Sequence, residues 1–346
     1  MGRIHSLQVL RFVAAAMVVH AHGVSLAHVL GLGTGLLGRG RLEGLGVAGV
    51  DIFFVLSGVV ICRLAFLEPR RPTPADFLRR RVERVVPLYW LVTVAGGLSL
   101  VIVAPALYWR ELLTSLTFWP AWDRLASPLF TIGWTLCFEA LFYAGAALVL
   151  RSWRWAGVLA IAYAASWWLR LGTGWAVFRF LGNPLILEFL FGVAVAHIWR
   201  ERRAPGIGLA LLALGTVLLT AVPLWPELYS YERSFDGSLA GERVLLFGVP
   251  AALIVCGALH LEPRVPSRLV KGLSVLGDAS YALYLTHWLL AQALQHATPF
   301  GTADGVIVGF VALSILVSLA VWLWLEKPFL TALRRPRPLE AVAPAG

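Results

Sequence analysis

Charge is what this sequence has least of. Of its 346 residues only 14% are Asp, Glu, Lys or Arg, where a soluble domain carries roughly a quarter. Cysteine is almost missing as well. Cys62, Cys137 and Cys256 stand far apart in apolar runs, so no disulfide framework follows from them. No metal-ligand spacing is present, and no metal is expected. There is no P-loop, no GxSxG elbow and no Rossmann fingerprint in its strand-to-helix setting. ATPase, hydrolase and dehydrogenase readings therefore lack support. The alternation of a β-barrel is absent too.

What is present is hydrophobicity, at 59% of residues. Apolar stretches of about 20 residues recur along the whole length, and each can cross about 30 Å of hydrocarbon as a helix. In lipid the backbone must satisfy its own hydrogen bonds. The expected fold class is all-α: a polytopic integral membrane protein with about ten transmembrane helices in one bundle. Spans are expected near residues 8–28, 46–66, 86–106, 129–150, 155–170, 183–199, 206–223, 243–260, 278–296 and 304–325. The fifth and sixth are short. The first is read as a span because no small-residue cleavage site with a soluble domain follows it. Residues 1–338 are expected to form one membrane domain, and 339–346 a disordered tail.

The net charge of +10 is lopsided along the chain. "EPRRPTPADFLRRRVER", "RSWR", "WRERR", "EPRVPSRLVKG" and "EKPFLTALRRPRP" all fall in alternate loops. The positive-inside rule then puts both termini and "RRRVER" in the cytoplasm. It also accounts for the basic excess without nucleic acid as a partner. Fifteen tryptophans fit interfacial anchoring in part.

Ionisable side chains inside spans are expensive, and so are candidates for function. Here they are Arg11, His20, His22, Asp51, Glu139, Glu188, His197 and His287, with Asp278 and Glu326 near span ends. Arg11 and His22 are eleven residues apart. That spacing returns to within roughly 20° of one helix face, about 16 Å further along. His20 falls on the opposite side. His22 is a candidate general base, with an interhelical hydrogen bond as the plain alternative. Asp51 opens "GVDIFFVLSGVVIC", where it either accepts from His22 or Arg11 or caps the helix. Ser57 and Gly58 in the same stretch suit close helix packing. Arg79, Arg80, Arg81 and Arg84 precede the third span. Arg81 and Arg84 share a face one turn apart, and paired guanidinium forks suit phosphate. Ordinary positive-inside charge explains them equally. Glu139 in "GWTLCFEALFY" needs a partner or a proton. It could orient an imidazolium, bind sugar hydroxyls or pair with an arginine. His287 lies about ten residues into the ninth span and is a candidate for the same cavity.

Taken in order, "LQVLRFVAAAMVVHAH", "GVDIFFVLSG", "FLRRRVERVVPLYW", "GWTLCFEALFY", "NPLILEFLFG" and "GDASYALYLTHW" resemble the motifs of the membrane acyltransferase-3 family. The likeness is strongest to its exopolysaccharide O-acetyltransferase (ExoZ-type) branch and spans nearly the whole chain. It implies about ten transmembrane helices in a bacterial inner membrane. It also implies transfer of an acyl group, usually acetyl, from cytoplasmic acyl-CoA to a carbohydrate hydroxyl. Acetyl-CoA would be the donor substrate, with no permanently bound cofactor; the acceptor would be an exported or lipid-linked glycan. Carried over, the family's first-helix pattern falls on Arg11 and His22, with His22 as base. FFxxSG falls on Phe53, Phe54, Ser57 and Gly58, RxxR on Arg81 and Arg84, and WxxxxE on Trp134 and Glu139. Resemblance and residue reading together lead us to expect Arg80, Arg81, Arg84 and Ser57 for the donor, Trp134 and His287 for substrate, and Glu139 or Asp51 to orient His22. Two other readings stand beside it. One is acylation of a small secondary metabolite such as a macrolide. The other is a transporter of glycans or lipids, for which no inverted repeat is found.

Overall fold

The computed structural model describes residues 3–334 except 40, 70, 201, 223–225, 264, 265, 299 and 300. The expected disordered tail, 339–346, lies outside them. The described residues are almost wholly helical and hold no strand, only a single bridge between Ala121 and Leu125. Six helices are long and apolar enough to cross a membrane: His5–Val29, Gly44–Leu67, Thr131–Arg151, Ala176–Trp199, Ala240–His260 and Ala303–Leu333. The protein is a multi-pass membrane protein.

Ten helices frame the description. They are α1 (His5–Val29), α2 (Gly49–Cys62), α3 (Pro74–Val103), α4 (Trp134–Arg151), α5 (Arg154–Thr173), α6 (Ile186–Trp199), α7 (Pro205–Ala221), α8 (Val249–His260), α9 (Ser280–Leu294) and α10 (Ala303–Val321). Each expected span falls on one of them. Four fall on helices outside the group of six. Of these, α7 has 17 residues and α9 has 15. In α5 Arg170 and three tryptophans dilute the apolar run.

Burial follows the rule of a bilayer. Ile161 on α5, Leu209 on α7 and Leu316 on α10 are each more than 60% exposed. Water would penalise such surfaces, whereas lipid tails are as apolar as leucine. Polar and aromatic side chains instead turn inward around α1, α2, α3, α4 and α9. A hydrophobic cluster built on Phe54, Phe138, Phe180 and Phe189 joins α2, α4 and α6. Gly58 of α2 faces the backbone of α6 at Phe189 and Gly192 so closely that a Cβ there would collide with the Phe189 carbonyl. Gly58 is therefore a packing residue. The N-terminus of α1 is held by Glu262, whose two oxygens accept the His5 and Ser6 amides at 2.8 and 2.7 Å.

Candidate active site

A cavity of about 130 Å³ opens inside the bundle. Arg11 reaches it from α1, and Phe53 and Ser57 from α2. Arg81 and Arg84 come from the first turns of α3, Thr135, Glu139 and Tyr143 from α4, and Tyr281 and Tyr284 from α9. Helical spacing delivers them. Arg81 and Arg84 are one turn apart, as are Glu139 and Tyr143, and Tyr281 and Tyr284.

Three guanidinium groups thus meet at one cavity, and Glu139 is the one carboxylate among its described lining residues. Arg84 donates to Glu326 and lies 5.7 Å over the Tyr281 ring. Glu326 ends a widened, π-type turn at Trp322–Glu326 that follows α10. Turns of this kind re-aim side chains and recur at functional sites. Glu139 accepts from the Ser57 hydroxyl at 3.2 Å and from the Tyr143 hydroxyl. The Nε of Arg81 is buried without a partner among the described residues. Arg80 is exposed on the outer side of α3 and does not line the cavity.

The cavity closes before it reaches the histidines. Its end is marked by Phe53 and Tyr284, whose rings stand 6.0 Å apart. The Tyr284 hydroxyl donates to the Ile132 carbonyl at 2.8 Å and meets Thr135 Oγ1 at 2.9 Å. One turn further along α9 lies His287, and its ring is 4.9 Å from that of His22. Trp288 meets His22 edge-on at 5.1 Å. His22 Nδ1 bonds the Val18 carbonyl at 2.9 Å, and His287 Nδ1 bonds the Leu283 carbonyl at 3.0 Å. His22 and His287 do meet, but as a pair beyond the cavity and not as two of its lining residues. His20 points elsewhere, with its Nε2 3.0 Å from the Leu37 carbonyl.

Two further expected placements need correcting. Neither Glu139 nor Asp51 touches His22. The Asp51 carboxylate accepts from Arg243 with both oxygens, at 2.9 and 2.7 Å. The pair is 0–1% exposed, so Asp51 neither bonds Arg11 nor caps a wet helix end. The second concerns Trp134. It packs against Phe54, Phe138 and Phe235 and is not among the cavity's lining residues. It shapes the wall behind Phe54 instead.

The sequence reading gave Arg243 no role and Glu326 no site. A signal for Arg243 was available: a buried aspartate demands a cation, and Arg243 begins a span near the depth at which Asp51 begins another. The contact between Arg84 and Glu326 depends on a π-type turn that hydropathy does not register.

Comparison with known proteins gives the family. The family described as "Acyltransferase domain" (acyltransferase-3) matches residues 4–325. The exopolysaccharide production protein ExoZ of Rhizobium meliloti (strain 1021) is 34% identical over 308 residues, covering 83% of this chain and 90% of that protein. BcsY of Komagataeibacter xylinus, named as a membrane-bound transacylase, is 26% identical over 84% of this chain and 78% of its own. YrhL of Bacillus subtilis (strain 168), named as a peptidoglycan O-acetyltransferase, is 23% identical over 83% of this chain but only 51% of its own. No solved structure matches the chain. With the family matched over residues 4–325 and a 34% identical relative covering 83% of it, the chain belongs to the acyltransferase-3 family of membrane enzymes.

Proposed function

We propose that the protein moves an acetyl group from cytoplasmic acetyl-CoA to a hydroxyl of a glycan or exopolysaccharide precursor. The observation that carries this reading is the convergence of Arg11, Arg81 and Arg84 on one cavity, with Arg81 Nε unpartnered. Guanidinium forks bind phosphate oxygens at two points. In this reading Arg81 and Arg84 hold the CoA phosphates at the cytoplasmic mouth, and Glu326 yields Arg84 when they arrive. The exposed Arg80 contributes long-range attraction only. The pantetheine arm runs past Arg11 and Ser57, and the thioester passes the Phe53–Tyr284 neck to reach His22. His22 has its Nδ1 proton spent on the Val18 carbonyl. Its Nε2 lone pair is thereby left to take the proton of the acceptor hydroxyl, a step worth roughly 10²–10⁴-fold.

The acceptor class follows from relatives named for exopolysaccharide production and for peptidoglycan O-acetylation. The topology that goes with it has ten spans and both termini in the cytoplasm of a bacterial inner membrane, with residues 1–338 as one domain. Acetyl transfer by purified protein tests the mechanism. His22→Ala is expected to lose the reaction while still inserting in the membrane, and full activity in that variant would refute the base. Glycan O-acetyl analysis of a deletion strain tests the acceptor. Unchanged glycan acetylation there would shift the assignment to a small secondary metabolite.

A further inference from the structure

We propose that His287 is a second proton-handling residue of the acyl transfer, sharing with His22 the proton that leaves the acceptor hydroxyl. This rests on the reading of His22 as the base. Three observations carry it. His287 is fully buried, and its Nε2 has no hydrogen-bond partner. The His22 ring lies against it, at 4.9 Å between centroids and 63° between planes. Both rings have spent their Nδ1 proton on a backbone carbonyl one turn earlier. Each neutral ring then holds its remaining lone pair on Nε2. Two rings set against each other, each with an Nε2 lone pair, suit one donor, and a hydroxyl supplies it. A buried polar atom left unmatched is costly, so a packing histidine here would be a poor choice.

The step balances. The acceptor O–H bond breaks and its proton passes to Nε2 of His22, to be shared with Nε2 of His287. The oxygen bonds to the thioester carbonyl carbon. The C–S bond breaks, and the sulfur leaves with the electron pair and takes a proton back from the pair. Trp288, edge-on to His22 at 5.1 Å, holds the ring in place. Few other ionisable groups face this spot. α1 presents His22, and α9 itself presents Tyr284, whose ring is 6.0 Å from that of His287. Phe53 of α2 and Thr135 of α4 meet Tyr284 on its far side. α10 has no charged side chain from residue 305 to 325.

The test uses the full chain in detergent, with acetyl-CoA as donor and octyl β-glucoside as the hydroxyl probe. In His287→Gln, kcat is expected to fall about 100-fold, at the lower end of what proton transfer supplies. KM for acetyl-CoA should stay unchanged, and the pH profile of kcat should lose one ionisation. Wild-type kcat and pH profile in His287→Gln, with His22→Ala inactive, would overturn this proposal and leave His22 as sole base. A loss carried wholly by KM would overturn it too, making His287 a substrate contact. An active His22→Ala would instead sink the base reading on which it depends. A measurement on the unaltered active pair covers a His287 variant that fails to fold. In ¹⁵N-histidine NMR spectra of wild-type protein, the two rings should titrate as one coupled pair. Independent titrations would overturn the proposal.

Discussion

Two groups of buried charge lie within this bundle, and they are built in opposite ways. Every donor of Arg243 is used, although the buried Glu188 carboxylate beside the Arg243–Asp51 pair has no hydrogen-bond partner among the described residues. Its guanidinium donates to both oxygens of Asp51, to the carbonyls of Leu228 and Val47, and to Ser234 Oγ. Around Arg81 valences are spare. Nε has no partner, three guanidinium groups crowd one space, and that space is a cavity. A saturated, close-packed ion pair holds helices together. An unsaturated one lining a cavity leaves a donor free for an anion, which is the basis of the proposed donor site. Motif residues alone do not separate these cases, because Asp51 and Arg81 both sit in stretches that resemble the family's.

The contrast can be broken experimentally. The largest expected effect is on the saturated cluster. Arg243→Ala strands a buried carboxylate, and breaking such a pair costs about 3–5 kcal/mol. The amount of folded protein in membranes should drop sharply, and the activity of each folded molecule should not. Normal yield with lost activity would transfer the Arg243 pair to the site. Next comes Arg81→Ala, which should leave folding intact and raise KM for acetyl-CoA about 10- to 100-fold, as loss of a charge-assisted contact predicts. An unchanged KM would reassign Arg81 to topology. Glu326→Gln should lower that KM several-fold by freeing Arg84 from its competitor, and a higher KM would mean that Glu326 serves to position Arg84 for the donor. Gly58→Ala should destabilise by about 1–3 kcal/mol through overpacking, read as a lower unfolding temperature.

The smallest effect belongs to a pair outside the spans. Asp123 accepts from Arg110 Nε at 2.6 Å. That hydrogen bond holds its carboxyl below the ordinary aspartate range. A lowered folded-state pKa gives stability that is present above the ordinary range and lost as pH falls through the lowered value. Asp123→Asn should therefore lower the unfolding temperature slightly at pH 7, and the difference should vanish in strong acid. A difference that persists there would mean the pair is not electrostatic.

The apolar runs made the helices legible. Period and spacing separated His22 from His20, and the helix carries His20 to the Leu37 carbonyl, away from the site. Hydropathy does not encode which helices become neighbours. It could not tell that Asp51 meets Arg243, 192 positions away, or that His22 meets His287 and not a carboxylate. Depth was also beyond it. Arg11 and His22 share a face, but the cavity ends at the ring pair between their levels, and only the packed positions of Phe53 and Tyr284 reveal where.

The close approach of α2 to α6 has a mechanical consequence. Gly58 and Gly192 bring two backbones against each other with no side chain between them. Such a junction has no rotamers to exchange and no void to yield. The wall that carries Phe53 and Ser57 is then an anvil that resists displacement. In the proposed mechanism, any opening of the neck falls to the other side, where Tyr284 is tethered by two hydrogen bonds that can break and reform.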